Sequence, residues 1–252
     1  MNKLIKLEFR KLFSSISYYV CLAVILLMLF LTLVVSKMGA ERLNQLAMFN
    51  AVKTTRTALD NSMLSLISGI FIAVFVSQDE SLGTIKNIVS RGYSRTKIYF
   101  SKYIVSLVSI LLYSIIVLLI GFLFGLCVSG VGNIDSQYFI SIFGELLVII
   151  GFHALFFMFS TIFNKNGIII TLNIATPLII KLVLGLLDSF LLGKDIKIGF
   201  QFGDYWLDGL MSSFNAKTMN AGELSGSIIM TLIYIVLFVT LGLLAYRKKE
   251  VK

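Results

Sequence analysis

The sequence predicts an all-α integral membrane protein. It has six transmembrane helices, an N-terminal amphipathic interfacial helix, a short amphipathic helix between the second and third spans, and re-entrant outer helices before the last span. Three observations carry this reading. Hydrophobic residues make up 58% of the 252 positions, where a soluble domain holds about 45–50%. Charged residues make up 14%, where about 25% is usual. The apolar residues also lie in long runs with few charges, and a helix needs about 20 such residues to cross the hydrocarbon core.

The elements follow in order. In residues 1–16, Ile5, Phe9, Leu12, Phe13 and Ile16 fall on one helical stripe, with Lys3, Lys6 and Arg10 beside it. That pattern fits a helix lying on the inner membrane face; a plain extension of the first span is the other reading. The first span covers 17–36. Its apolar run is too long for a signal-peptide core of about 7–15 residues, and no small-residue cleavage site follows. Residues 37–61 are polar, mixed in charge, and read as helical extensions of the first two spans. The second span, 62–77, is short. The third, 103–129, is long enough to tilt.

The fourth span, 139–163, and the fifth, 167–187, are joined by the turn Asn164, Lys165, Asn166. Pro177 interrupts the fifth, because its ring removes a helix hydrogen bond and bends the axis. The sixth span covers 228–246. Segment 188–226 mixes Phe202, Tyr205, Trp206, Leu210, Met211 and Phe214 with Asp195, Asp204 and Asp208. It is too apolar for a free loop and too polar to span. Short re-entrant helices fit it, as does a compact outer loop packed on the bundle. With no linker and no repeat, the chain reads as a single transmembrane domain, 1–252.

The net charge is +9. Placing both termini in the cytoplasm puts most basic residues on the inner side, as the positive-inside rule requires. Lys86, Arg91, Arg95, Lys97 and Lys102 then share one inner loop. The anionic inner leaflet accounts for the charge, and no nucleic-acid partner is implied. Cys21 and Cys127 lie in apolar runs toward opposite faces, too far apart to bridge.

Catalytic chemistry is thinly represented. The chain lacks a phosphate loop and the H-E-x-x-H, C-x-x-C and G-x-S-x-G patterns. Its one histidine, His153, cannot make a histidine-rich metal site. No catalytic, cofactor-binding or metal-binding residue is therefore expected. Ionisable groups inside the bilayer are costly, and each marks a candidate site. Glu145 and His153 lie in the fourth span and Lys181 in the fifth. At 1.5 Å per residue, Glu145 lies about 9 Å and Lys181 about 10 Å below the outer ends of their spans. They are expected to pair, and His153 lies level with Asn173. Such contacts either tie two helices together or line a substrate path.

The inner loop has its own grammar. Gly83 breaks the second span, and Thr84 is placed to cap a new helix. Ile85, Ile88 and Val89 form an apolar stripe at i, i+3 and i+4. Gly92 suits the left-handed residue that ends a helix, and Ser94 caps the next one. The stripe is sized to fill a groove on another protein.

The pattern E-S-x-G-T-I-K-N-x-x-S-R-G-x-S-R-x-K-I-Y-x-x-K, from Glu80 to Lys102, resembles the inner loop of bacterial ABC type-2 permeases. The resemblance implies a membrane subunit of a bacterial ABC exporter, of the peptide or bacteriocin type, in the cell membrane. It implies a homo- or heterodimer of permeases bound to a separate ABC ATPase subunit, which would hold the ATP and Mg. Residues 81–93 would be the coupling helix. Glu80, Gly83, Thr84, Ile85, Lys86, Ile88, Arg91, Gly92 and Arg95 match the coupling segment, and Asn164, Lys165 and Asn166 would make a second cytoplasmic contact. The resemblance implies an amphipathic substrate, such as an antimicrobial peptide. On the residues alone, an ATPase-independent transporter or channel, or a lipid-acting membrane enzyme, stays open.

Overall fold

The structure is a computed structural model, and it describes residues 1–45, 49–60, 62–81, 83–193, 201–215 and 221–249. Helices carry these residues, and no strand occurs among them. They are α1 (Asn2–Ser14), α2 (Ile16–Arg42), α3 (Ala51–Leu59), α4 (Ser62–Ser81), α5 (Thr84–Ser90), α6 (Arg95–Ser129), α7 (Ser136–Ile162), α8 (Asn166–Gly193), a 3-10 turn (Gly203–Tyr205), α9 (Leu207–Asn215) and α10 (Ala221–Lys248).

Five helices, α2, α6, α7, α8 and α10, are long and apolar enough to cross a membrane. Helices α3 and α4 together make one further apolar unit, bent by 41°. The sequence places span two at 62–77, and α4 extends it at the basic end while α3 continues it beyond the bend. Helix α3 is not a loose extension. Its Ala51, Thr54, Thr55, Ala58 and Leu59 are buried, and it packs on Gly121 and Gly125 of α6. A Cβ on Gly125 would lie 2.1 Å from Thr54 Oγ1 and 2.6 Å from Ala51 Cα. Two glycines four apart let the backbones approach this closely, as in other membrane helix pairs. Thr54 Oγ1 also donates to the Gly121 carbonyl at 2.8 Å.

Helix α1 is distinct from α2, because Ser15 is extended at φ −82°, ψ 120°. Its buried face differs from the expected one. Leu4, Glu8 and Leu12 are buried against the bundle, while Phe13 and Ile16 are 49% and 79% exposed. The packed stripe is rotated because α1 packs against α6.

Helix α7 is the most buried of the five long spans, and α9 packs along it. A Cβ on Gly144 would overlap the Phe214 ring at 2.2 Å, and one on Gly151 would meet Leu207 at 2.9 Å. Helix α9 therefore runs antiparallel to α7 along its middle and packs on the bundle. Asp195, Ile196, Ile198 and Phe200 lie outside the described residues. Pro177 sits inside α8 without ending it, since neighbouring groups can satisfy a freed carbonyl in a membrane helix.

Candidate functional site: the α5 platform

Helix α5 is a seven-residue helix between two left-handed glycines, Gly83 at φ +64° and Gly92 at φ +83°. Only glycine takes that region without strain. The Gly92 N–H closes the helix on the Val89 carbonyl at 2.9 Å. Ile85 is buried, and Ile88 and Val89 are half-buried against the chain's own core. The apolar stripe therefore faces inward, and the expectation that it fills a partner's groove is corrected. The outward face presents Asn87, Ser90 and Arg91, followed by Gly92, Ser94 and Lys97, all exposed. The side chains of Glu80 and Lys86 lie outside the described set.

Thr84 does not cap α5; Gly83 holds that position. The Thr84 hydroxyl instead lies 2.8 Å from Asp79 Oδ1 and 3.1 Å from the Asp79 carbonyl oxygen. Asp79 is itself a hub. Lys102 Nζ approaches Asp79 Oδ2 at 2.6 Å, and Lys11 Nζ approaches Oδ1 at 2.8 Å. Glu8 Oε1 lies 3.5 Å from Lys11 Nζ. Asp79, Lys102 and Glu8 are 5%, 3% and 1% exposed. Burial pushes the Glu8 carboxyl above its ordinary range, against the pull of Lys102.

The network thus joins α1, the end of α4, the start of α5 and the first turns of α6. Buried charges persist only when paired and hydrogen-bonded, and removing one member costs about 3–5 kcal/mol. Sequence reasoning named Thr84 and Lys102 but missed Glu8, Lys11 and Asp79 as members. The signal for Glu8 was its spacing, since Leu4, Glu8 and Leu12 repeat at i, i+4 and i+8.

A second set of contacts closes the same end of the bundle. An Arg95 Nη donates to the carbonyls of Arg247 and Lys249. Arg247 Nε lies 3.3 Å from Thr96 Oγ1, and Lys249 Nζ donates to the carbonyls of Thr161 and Phe163 at 3.0 and 3.4 Å. The last turn of α10 therefore bridges the start of α6 and the end of α7. Asn164, Lys165 and Asn166 are exposed beside it. The structure places α5 and this turn at one end of the bundle, while Arg95 is engaged within the chain.

The intramembrane groups do not meet as expected. Lys181 is 66% exposed and lies 3.8 Å from Asp208 Oδ1, not near Glu145. Glu145 is fully buried, and neither of its oxygens has a hydrogen-bond partner among the described residues. His153 Nε2 lies 2.9 Å from Ser106 Oγ, and Asn173 Nδ2 donates to the Gly69 carbonyl at 2.8 Å. Helix α4 explains why equal depth did not bring His153 to Asn173. Its Gly69 stands between Phe156 of α7 and Asn173 of α8, so α4 separates the two helices there.

These features define a multi-pass α-helical membrane protein with a short helix clamped to one end of its bundle. A family model described as ABC-2 family transporter protein matches residues 4–188. The chain belongs to that family and is the permease subunit of an ABC transporter, the partner of an ABC ATPase. No curated protein matches the chain. The matched span runs from α1 through most of α8, so it includes the α5 platform, Glu145, His153, Asn173 and Lys181.

Proposed function

We propose that this permease exports an amphipathic substrate, such as an antimicrobial or toxin-like peptide, and that α5 is its coupling helix. Both termini and α5 then lie in the cytoplasm of a bacterial cell. The ATPase, which binds ATP and Mg, docks on the polar face of α5 and on the turn at Asn164–Asn166. Two permeases pair around the path. The observation that carries this reading is the Asp79 network. A push on Asn87, Ser90 and Arg91 reaches α1, α4 and α6 as one unit, because Asp79 clamps Thr84, Lys11 and Lys102 together. The permease supplies a path and a lever, and hydrolysis belongs to its partner. The few polar groups inside the spans suit a substrate with a large apolar surface better than a sugar, which needs many hydrogen-bonding groups.

Co-purification tests the docking face. Arg91 is exposed, so Arg91→Glu should leave the fold intact, as most surface changes stay within about 0.5 kcal/mol. The substitution should cut recovery of the ATPase with the tagged permease at least tenfold. Undiminished recovery, with undiminished ATP hydrolysis, refutes α5 as the docking element.

A further inference from the structure

The packing of α1 leaves one edge of that helix uncovered, and the edge is chemically mixed. Leu4, Glu8 and Leu12 turn into the bundle. Lys6, Phe9, Arg10 and Phe13 fall at i, i+3, i+4 and i+7, so they share a neighbouring stripe. Lys6, Arg10 and Phe13 are exposed, and Phe9 is half-buried. Lys3, one turn earlier, is exposed as well. The one acid of α1, Glu8, is buried beside Lys11. The exposed charged side chains of α1 are therefore all cations, and Lys3, Lys6 and Arg10 enter no ion pair among the described residues.

This stripe ends where an exposed apolar surface begins. Helix α2 starts at Ile16 and is apolar enough to span. Its Ile16, Tyr19 and Val20 are exposed. The Tyr19 hydroxyl donates to the Phe13 carbonyl at 3.0 Å, which ties the last turn of α1 to the first turn of α2. Tyrosine favours the membrane–water boundary. Arg10, one turn before Phe13, thus stands near the depth of lipid headgroups. Phe13, Ile16 and Val20 suit hydrocarbon, whereas Lys6 and Arg10 suit an anion. An anionic phospholipid offers both in one molecule.

We propose that this edge of α1 is a binding surface for anionic phospholipid: the phosphate headgroup pairs with Lys6 and Arg10, and the acyl chains lie on Phe13, Ile16 and Val20. The lipid also bears on the Asp79 network. Lys11, on the same helix, holds Asp79 Oδ1 at 2.8 Å, so a lipid that fixes α1 also steadies that bond. The surface needs neither the docking of α5 nor the substrate reading.

The full-length permease in detergent is equilibrated with equal amounts of phosphatidylglycerol and phosphatidylcholine of identical chains. Native mass spectrometry counts the lipids retained, and thermal midpoints are read in parallel. Wild type should retain phosphatidylglycerol in preference, and that lipid should raise its midpoint. A basic residue at an anionic membrane surface is worth about fivefold in binding, so Lys6→Gln with Arg10→Gln should lower the preference about tenfold or more. The midpoint of this variant in phosphatidylcholine alone should match wild type. Lys6→Arg with Arg10→Lys, which keeps both charges, should keep the preference. Lys97→Gln with Lys248→Gln removes two other exposed cations of the same end and should keep it too. Equal preference in wild type and the Gln variant of α1 overturns the surface. So does an equal loss in the Lys97 and Lys248 variant, which would mean bulk charge attraction. Full displacement of the lipid by glycerol 3-phosphate, a headgroup without chains, would replace it by a free-phosphate site. The same spectra give the oligomeric state. A changed state in the Gln variant of α1, with lipid preference intact, would assign the face to a second copy and overturn the proposal.

Discussion

The two ends of the bundle treat buried carboxylates in opposite ways. At the basic end, Asp79 is held by two lysines and a hydroxyl at 2.6–2.8 Å. At the other end, Glu145 is equally buried and neither oxygen has a hydrogen bond among the described residues. A closed network makes a rigid joint, because each member is costly to release. An open carboxylate is a functional liability that binding can relieve. The contrast separates a closed ion-pair network from a buried carboxyl without a hydrogen bond among the described residues.

The sharpest way to break the contrast is to remove one carboxylate from each end. Asp79→Ala strands Lys102 at 3% exposure, so it should destabilise the purified permease by about 3–5 kcal/mol. Its unfolding midpoint in detergent should fall accordingly. Glu145→Gln changes a buried group that has no hydrogen bond among the described residues, so its midpoint should stay within about 1 kcal/mol of wild type or rise. Comparable losses from the two substitutions would erase the distinction.

A smaller effect sharpens the basic end. The Glu8 carboxyl is pushed up by burial, so the folded state binds its proton more tightly than the unfolded state does. The stability this contributes is full below the unfolded value and is lost as pH rises through the folded one. Glu8→Gln should flatten that part of the profile when thermal midpoints are followed from acid to neutral pH.

Sequence reading reached some of this and missed the rest for physical reasons. Gly83 and Gly92 were legible because a left-handed turn narrows the choice to glycine. The Ile85, Ile88 and Val89 stripe was legible as a stripe, but periodicity does not say what a stripe faces. It faces the chain's own core. The Asp79–Lys11 bond links residues 68 apart, beyond any local pattern. The expected Glu145–Lys181 pair assumed that helices adjacent in sequence pack throughout, whereas Lys181 lies beside Asp208 of α9. The Gly121 and Gly125 pair that seats α3 was present in the sequence, and its spacing was the available signal for the broken span. Hydropathy is read locally, so the five long apolar helices and the apolar α3–α4 pair were legible, whereas most corrections concerned partners brought together by packing.

The central claim is that motion of α5 enters the bundle through Asp79, and α6 offers a reporter for it. Lys102 sits in the network, and the exposed Cys127 lies 25 residues along the same helix, about 38 Å away. An environment-sensitive fluorophore on Cys127, with Cys21→Ser, is followed on ATP addition to the permease–ATPase complex. Thr84→Val, which cuts the α5 link to Asp79 without stranding a charge, should leave the ATPase bound and hydrolysing ATP while abolishing the ATP-driven signal. An undiminished signal in Thr84→Val would contradict the account.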